Sequence, residues 1–84
     1  MVTLLYFASL RENVGISREQ VSLPSGNATV SAVVELLRTR DGRWTEAFAP
    51  GRPWRVAVNQ QMANPGTPLR PGDEVAFFPP VTGG

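Results

Sequence analysis

Eighty-four residues with a formal net charge of +1 are enough for one small domain with a single modest core. They leave no room for a deep cleft as well, so a self-contained enzyme is not expected. Cys, His and Lys are all absent, which excludes a cysteine or persulfide nucleophile, a histidine base, a Schiff-base or P-loop lysine and nearly every zinc or haem site.

The chain opens on an alternating β-rich run, Val2 to Ala8, in which Thr3 is the one polar member. Its period of two puts Val2, Leu4, Tyr6 and Ala8 toward a core and Thr3, Leu5 and Phe7 outward. Leu10 to Gly15 reads as a turn or short helix. Gln20 to Leu23 reads as a second strand with Val21 and Leu23 inward, stopped by the turn formers Pro24-Ser25-Gly26-Asn27. The two strands should form a hairpin with a loose loop. The period then changes: Val30, Val33, Val34 and Leu37 fall at i, i+3, i+4 and i+7, one apolar helical stripe, with Thr29 as N-cap and Gly42 as the stop.

Trp44 to Ala49 has room for a further short turn of helix before the breaker cluster Pro50-Gly51-Arg52-Pro53. Trp54 to Val58 alternates again, with Trp54, Val56 and Val58 inward and Arg55 and Ala57 outward. Asn59-Gln60 predicts a tight turn into a short strand near Met62, and Asn64 to Gly72 is a Pro/Gly-rich connection. In the last strand, Glu74 to Phe78, the acidic residue marks the outward set, so Val75 and Phe77 face in while Ala76 and Phe78 face out. Two hairpin-like units around one main helix make a ββαββ arrangement. The expected class is therefore α+β, of β-grasp type, with a mixed sheet, the helix across one face and an extended C-terminal tail.

That tail is the most informative segment. Pro79 and Pro80 cannot donate ladder hydrogen bonds, so the strand must stop near Phe78 and the chain must leave extended. We therefore divide the chain into a domain over 1–78 and a flexible tail over 79–84. Gly83 and Gly84 have no side chain to add to a core; what they provide is a backbone thin enough for a narrow channel. Six residues at roughly 3.3 Å each reach about 20 Å, far enough to enter a partner's active site. Phe7 and Phe78, both outward, form an apolar patch beside the tail if the first and last strands are neighbours. Burying each ring against a partner is worth roughly 1.5–3 kcal/mol.

Other features have plainer readings. Asp73 and Glu74 point to opposite faces, cannot act on one atom, and read as strand-edge charges. Arg38, Arg40, Arg43, Arg52 and Arg55, interleaved with Trp44 and Trp54, are offset by Asp41 and Glu46 and read as a solvated edge with core or rim tryptophans, so no nucleic-acid partner is expected. The first ten residues alternate and lack a basic leader, so neither a signal peptide nor membrane attachment is expected. Absence of cysteine is compatible with a cytoplasmic protein.

Asp73-Glu74-Val75-Ala76-Phe77-Phe78-Pro79-Pro80-Val81-Thr82-Gly83-Gly84, supported by Phe7-Ala8-Ser9-Leu10-Arg11-Glu12 and Val58-Asn59-Gln60, resembles the MoaD family, the small sulfur-carrying subunits of molybdopterin synthase. These are ubiquitin-like β-grasp proteins. The resemblance implies that Gly84 is the reacting residue. An adenylyltransferase related to ubiquitin-activating enzymes would use ATP to form an acyl-adenylate on its carboxylate, and a sulfur donor would displace AMP to give a thiocarboxylate, with no other cofactor bound.

The loaded tail would then enter the large synthase subunit and pass sulfur to cyclic pyranopterin monophosphate, building the molybdopterin dithiolene. This chain would be the sulfur-donating subunit of a transferase heterotetramer. By the same resemblance Gly83 threads the partner's channel, Val81 and Thr82 set its depth, and Pro79 and Pro80 keep the tail extended. Phe7, Met62 and Phe78 form the partner-facing surface, and Arg11 supports polar contacts to the partner or pairs with a nearby acid. Residues 38–55 depart most from the family pattern. A ubiquitin-like modifier, a sulfur carrier for thiamine or tRNA thiolation, and a plain interaction module are the alternative readings.

Overall fold

The structure, a computed structural model, describes residues 1–24 and 26–80. Five strands form one sheet: β1 (Val2–Tyr6), β2 (Arg18–Val21), β3 (Arg55–Val58), β4 (Gln61–Met62) and β5 (Glu74–Phe78). Their order is β2-β1-β5-β3-β4. β1 runs parallel to β5 and every other pairing is antiparallel, so the sheet is mixed and the last strand lies at its centre. Among the described residues there are three helices: α1 (Ala8–Val14), α2 (Val30–Arg38) and α3 (Gly42–Ala47). None of the described helices is long and apolar enough to cross a membrane.

The alternation in the strands sets which face is covered. Val2, Leu4, Tyr6, Val56, Val75 and Phe77 are buried, and they meet the helical stripe Val30, Val33, Val34 and Leu37, also buried. This is the β-grasp arrangement expected from the pattern. Thr29 caps α2, its Oγ1 accepting from the Ala32 N–H at 3.2 Å. The next two free amides of that helix end are satisfied by the Pro/Gly-rich connection, Val30 N donating to the Thr67 carbonyl at 3.0 Å and Ser31 N to the Pro65 carbonyl at 2.8 Å. That connection is therefore a backbone clamp on the main helix, and its Leu69 is buried in the core.

The structure corrects several local expectations. Ala8 is exposed rather than inward, because β1 ends at Tyr6 and Ala8 turns the chain with φ +53. The short helix allowed for over Leu10 to Gly15 is α1, which begins earlier, at Ala8, and is capped by Gly15 at φ +85; it makes the β1–β2 connection an ordered element rather than a loose loop and buries Leu10 and Val14. β2 covers Arg18–Val21, earlier than Gln20 to Leu23, with Val21 buried and Leu23 half-buried against the core. Gly42 does not stop α2, which ends at Arg38 with Thr39 as its C-cap; Gly42 instead begins α3 behind the N-cap Asp41. Asn59-Gln60 is the tight turn expected, with positive φ at both residues (+51 and +68) as a type I′ hairpin requires.

Candidate functional site

The face of the sheet opposite the helices carries the outward residues, and strand register says which of them are neighbours. Leu5 pairs with Ala76, Ala76 with Ala57, and Ala57 with Met62, so these four form one apolar row across four strands. Arg55 lies opposite Phe78. Phe7 continues the β1·β5 register past the Tyr6·Phe77 pair, its N–H donating to the Phe77 carbonyl at 3.1 Å. The structure thus places Phe7 beside Phe78, with Met62 two strands from Phe78 and two residues back along the register, roughly 12 Å away. Phe7 is 48% exposed and Met62 61%; Phe78 is half-buried.

Phe7 is held from both sides. Its N–H is tied to β5, and its carbonyl accepts from Leu10 N at 3.1 Å and Arg11 N at 3.4 Å as the N-cap residue of α1. Ala8 in the left-handed region, a conformation that disfavours a Cβ, makes the bend that leaves the Phe7 ring outside the core. Arg11 lies in the first turn of α1, its N–H bonded to the Phe7 carbonyl. It is exposed and forms no ion pair among the described residues.

β5 ends at Phe78, on this face. Its start is fixed by Asn59, whose side chain donates to Asp73 Oδ1 at 3.0 Å and accepts from Glu74 N at 3.0 Å. Asp73 also accepts from Arg70 N at 2.8 Å, and these bonds hold its carboxyl below the usual aspartate range. Asp73 is therefore a turn anchor rather than a bare strand-edge charge. Pro79 and Pro80 are half-buried at the strand's end. Val81, Thr82, Gly83 and Gly84 lie outside the described residues.

Two groups escaped the sequence reading. Leu5, Ala57 and Ala76, taken only as outward positions, complete the apolar face between the rings and Met62; the missing information was strand order. The second group lies on the covered side. Glu19, in β2, accepts two hydrogen bonds from Arg40 at 2.8 and 2.9 Å and a third from the Tyr6 hydroxyl at 2.8 Å. The Arg40 guanidinium also stacks 4.5 Å over Trp44. Burial and then the bond to Glu19 push the Tyr6 phenol far above its ordinary pKa.

The arginine-rich segment is consequently not a uniformly solvated edge. Arg40 and Arg38, the latter bonded to the Phe48 carbonyl and to Glu35, fasten it to the fold. Arg43 and Arg52 remain surface residues, with longer contacts to Asp41 at 3.7 Å and Glu46 at 3.9 Å.

Over residues 4–84 the chain matches the model of the ThiS family. This chain belongs to the ThiS family. Among ThiS-family relatives, it is 42% identical to the molybdopterin synthase sulfur carrier subunit of Escherichia coli, over 100% of both chains. Among solved structures, a putative molybdopterin converting factor subunit 1 from Pyrococcus furiosus superposes with a TM-score of 0.76 at 30% identity, covering 95% of this chain and 97% of that one. Small archaeal modifier protein 1 from Haloferax volcanii does so with a TM-score of 0.75 at 27% identity, covering 95% and 97%.

Proposed function

We propose that this chain is the sulfur-carrier subunit of a molybdopterin synthase and that sulfur is carried at the Gly84 carboxylate. The observation that carries the reading is the end-to-end identity with a sulfur carrier subunit of that name. The chemistry of the chain agrees with it. Without cysteine, the terminal carboxylate is the group on which this protein can hold an exchangeable sulfur.

A carboxylate ionised at neutral pH is a poor electrophile, so activation must precede sulfur transfer. On an adenylyltransferase, a Gly84 oxygen attacks the α-phosphorus of ATP, pyrophosphate leaves, and an acyl-adenylate forms. Sulfide-level sulfur, released by a donor, then attacks the carbonyl carbon, the C–O bond to AMP breaks, AMP leaves, and loss of the S–H proton gives the thiocarboxylate. The protein's own residues supply delivery. Phe7, Phe78 and Met62, with Leu5, Ala57 and Ala76 between them, dock on the large subunit, and Arg11 contributes at the rim. Pro79 and Pro80 limit the conformations lost when the tail inserts, Val81 and Thr82 occupy the channel entrance, and Gly83 passes its narrowest part. The large subunit then moves sulfur from the tail to cyclic pyranopterin monophosphate. Such a carrier works in the cytoplasm, as one small subunit at each end of a dimer of large subunits.

The likeness to the archaeal modifier protein favours a second reading, in which the activated Gly84 is joined to a lysine of a target protein. Intact mass separates the two. After incubation with ATP, an adenylyltransferase of this class and a sulfur donor, the carrier gains the mass of one sulfur in place of one oxygen, and the Gly84-deleted chain does not. A product carrying a second protein through an isopeptide bond, with no sulfur exchange, refutes the carrier reading.

A further inference from the structure

Where β5 ends, Pro80 forms one wall of a groove of about 380 Å³, whose other walls include Pro53, Trp54, Arg55, Met62 and Pro65. These are flat or flexible apolar surfaces with one charge among them, that of Arg55. Arg55 is exposed and forms no ion pair among the described residues. Its position opposite Phe78 puts its backbone one strand spacing, about 4.8 Å, from the root of the tail. Glu74, the carboxylate of β5, is four residues down the same strand and about 13 Å away from that root. The sequence beyond Pro80 is four residues long and ends in a carboxylate; fully extended, four residues span about 13 Å at most.

We propose that this groove is a dock for the chain's own Val81–Gly84 segment, with Val81 against Trp54 and Met62 and the Gly84 carboxylate paired with the Arg55 guanidinium. Three observations favour this occupant. The segment starts from a wall of the groove, so its effective concentration there is that of a short intramolecular link, in the millimolar range or above. The groove offers one cation and the segment one anion. The two glycines lack the side chains that would hold the carboxylate away from the wall.

Because Met62 belongs to both the groove and the exposed apolar face, a docked tail and a docked partner compete. The self-docked form keeps the terminus against the domain until a partner displaces it, and it lowers the partner's apparent affinity by the fraction of tails held. An exposed ion pair of this kind biases the population about two- to five-fold. The inference concerns the unloaded carboxylate and does not depend on what the tail later carries.

The test is nuclear magnetic resonance of the ¹⁵N-labelled full chain. Its two tryptophans provide an internal control, since Trp44 is buried in the core and Trp54 lines the groove. Deleting residues 81–84 should move the Trp54 indole N–H resonance and leave that of Trp44 in place. R55Q, and a chain ending in a carboxamide that leaves every side chain intact, should move Trp54 in the same direction. Amidating the terminus of R55Q should move Trp54 no further, because the charge pair is already broken. A Trp54 resonance identical with and without the tail overturns the dock. A response to deletion but not to R55Q or the carboxamide overturns the pairing with Arg55. Shifts that grow with protein concentration assign the groove to a second copy's tail, against the proposal. The mass measurement of sulfur loading is read on Gly84 itself and succeeds or fails independently.

Discussion

Replacing Glu19 by Ala removes the centre of the Tyr6–Glu19–Arg40 cluster, and its effect follows from the geometry. Three hydrogen bonds converge on the carboxylate, at 2.8, 2.8 and 2.9 Å. The Arg40 and Glu19 side chains are 31% and 18% exposed, so the ion pair is partly screened and contributes near the upper end of surface pairs, about 1 kcal/mol. Tyr6 is 1% exposed, and its hydroxyl, left without an acceptor, costs about 1–3 kcal/mol. The sum is about 2–4 kcal/mol, which for a domain of this size lowers the melting temperature by roughly 10–25 °C.

The pH dependence provides a second arm. Burial pushes the Glu19 carboxyl up, but the bonds from Arg40 and Tyr6 and the charge of Arg40 outweigh it, leaving it below its ordinary value of 4.5. A carboxyl depressed in the folded state stabilises fully above its unfolded pKa, and that stabilisation is lost as pH falls through the folded value. The gap between the native protein and E19A should therefore be constant from neutral pH down to about pH 5 and narrow below about pH 4.5. Circular-dichroism melts across that range measure it. A melting temperature within about 4 °C of the native protein at neutral pH, equivalent to under 1 kcal/mol, would refute the assignment of this cluster as the anchor of residues 38–48.

Phe7→Ser and Met62→Ser, at exposed sites, should each change stability by no more than about 0.5 kcal/mol while weakening association with the large synthase subunit by about 1–3 kcal/mol in calorimetric titration; equal affinity would remove that residue from the docking face. Asn59→Ala loses two side-chain hydrogen bonds and places a Cβ-branched-free but still chiral residue at φ +51, so urea unfolding should show a loss of about 2–3 kcal/mol. Asn59→Gly should recover about 1 kcal/mol of it; a glycine variant no better than alanine would assign the whole cost to the lost bonds. Thr29→Ala should lower stability by about 1 kcal/mol through the lost cap, and an unchanged urea midpoint would mean that the Thr67 and Pro65 carbonyls hold that helix end alone.

The β-grasp architecture was legible because it is written in local periods. Alternation put Val2, Leu4, Tyr6, Val56, Val75 and Phe77 on one face, and the i, i+3, i+4, i+7 stripe of α2 marked the helix that covers them. Breakers placed the loops, and the Asn59-Gln60 turn followed from residues that tolerate positive φ. Pro79 marked the end of β5 at Phe78 by the same local logic, since the hydrogen bond a proline cannot donate depends on no distant contact.

What local pattern could not decide was pairing between distant segments. A period of two says that Leu5, Ala57, Ala76 and Phe78 share a direction; only strand order, with β5 between β1 and β3, makes them one surface. A loop composition does not reveal that the Thr67 and Pro65 carbonyls accept from the Val30 and Ser31 amides of α2. A scattered set of charges does not reveal that Arg40 reaches Glu19, twenty-one residues away in the chain. The sequence by itself determined which residues are apolar, which turns are possible and where the chain must run extended, because steric and solvent preferences act residue by residue. Tertiary structure alone decided register and partner choice, because hydrogen-bond and ion-pair energies depend on distances that many segments set together.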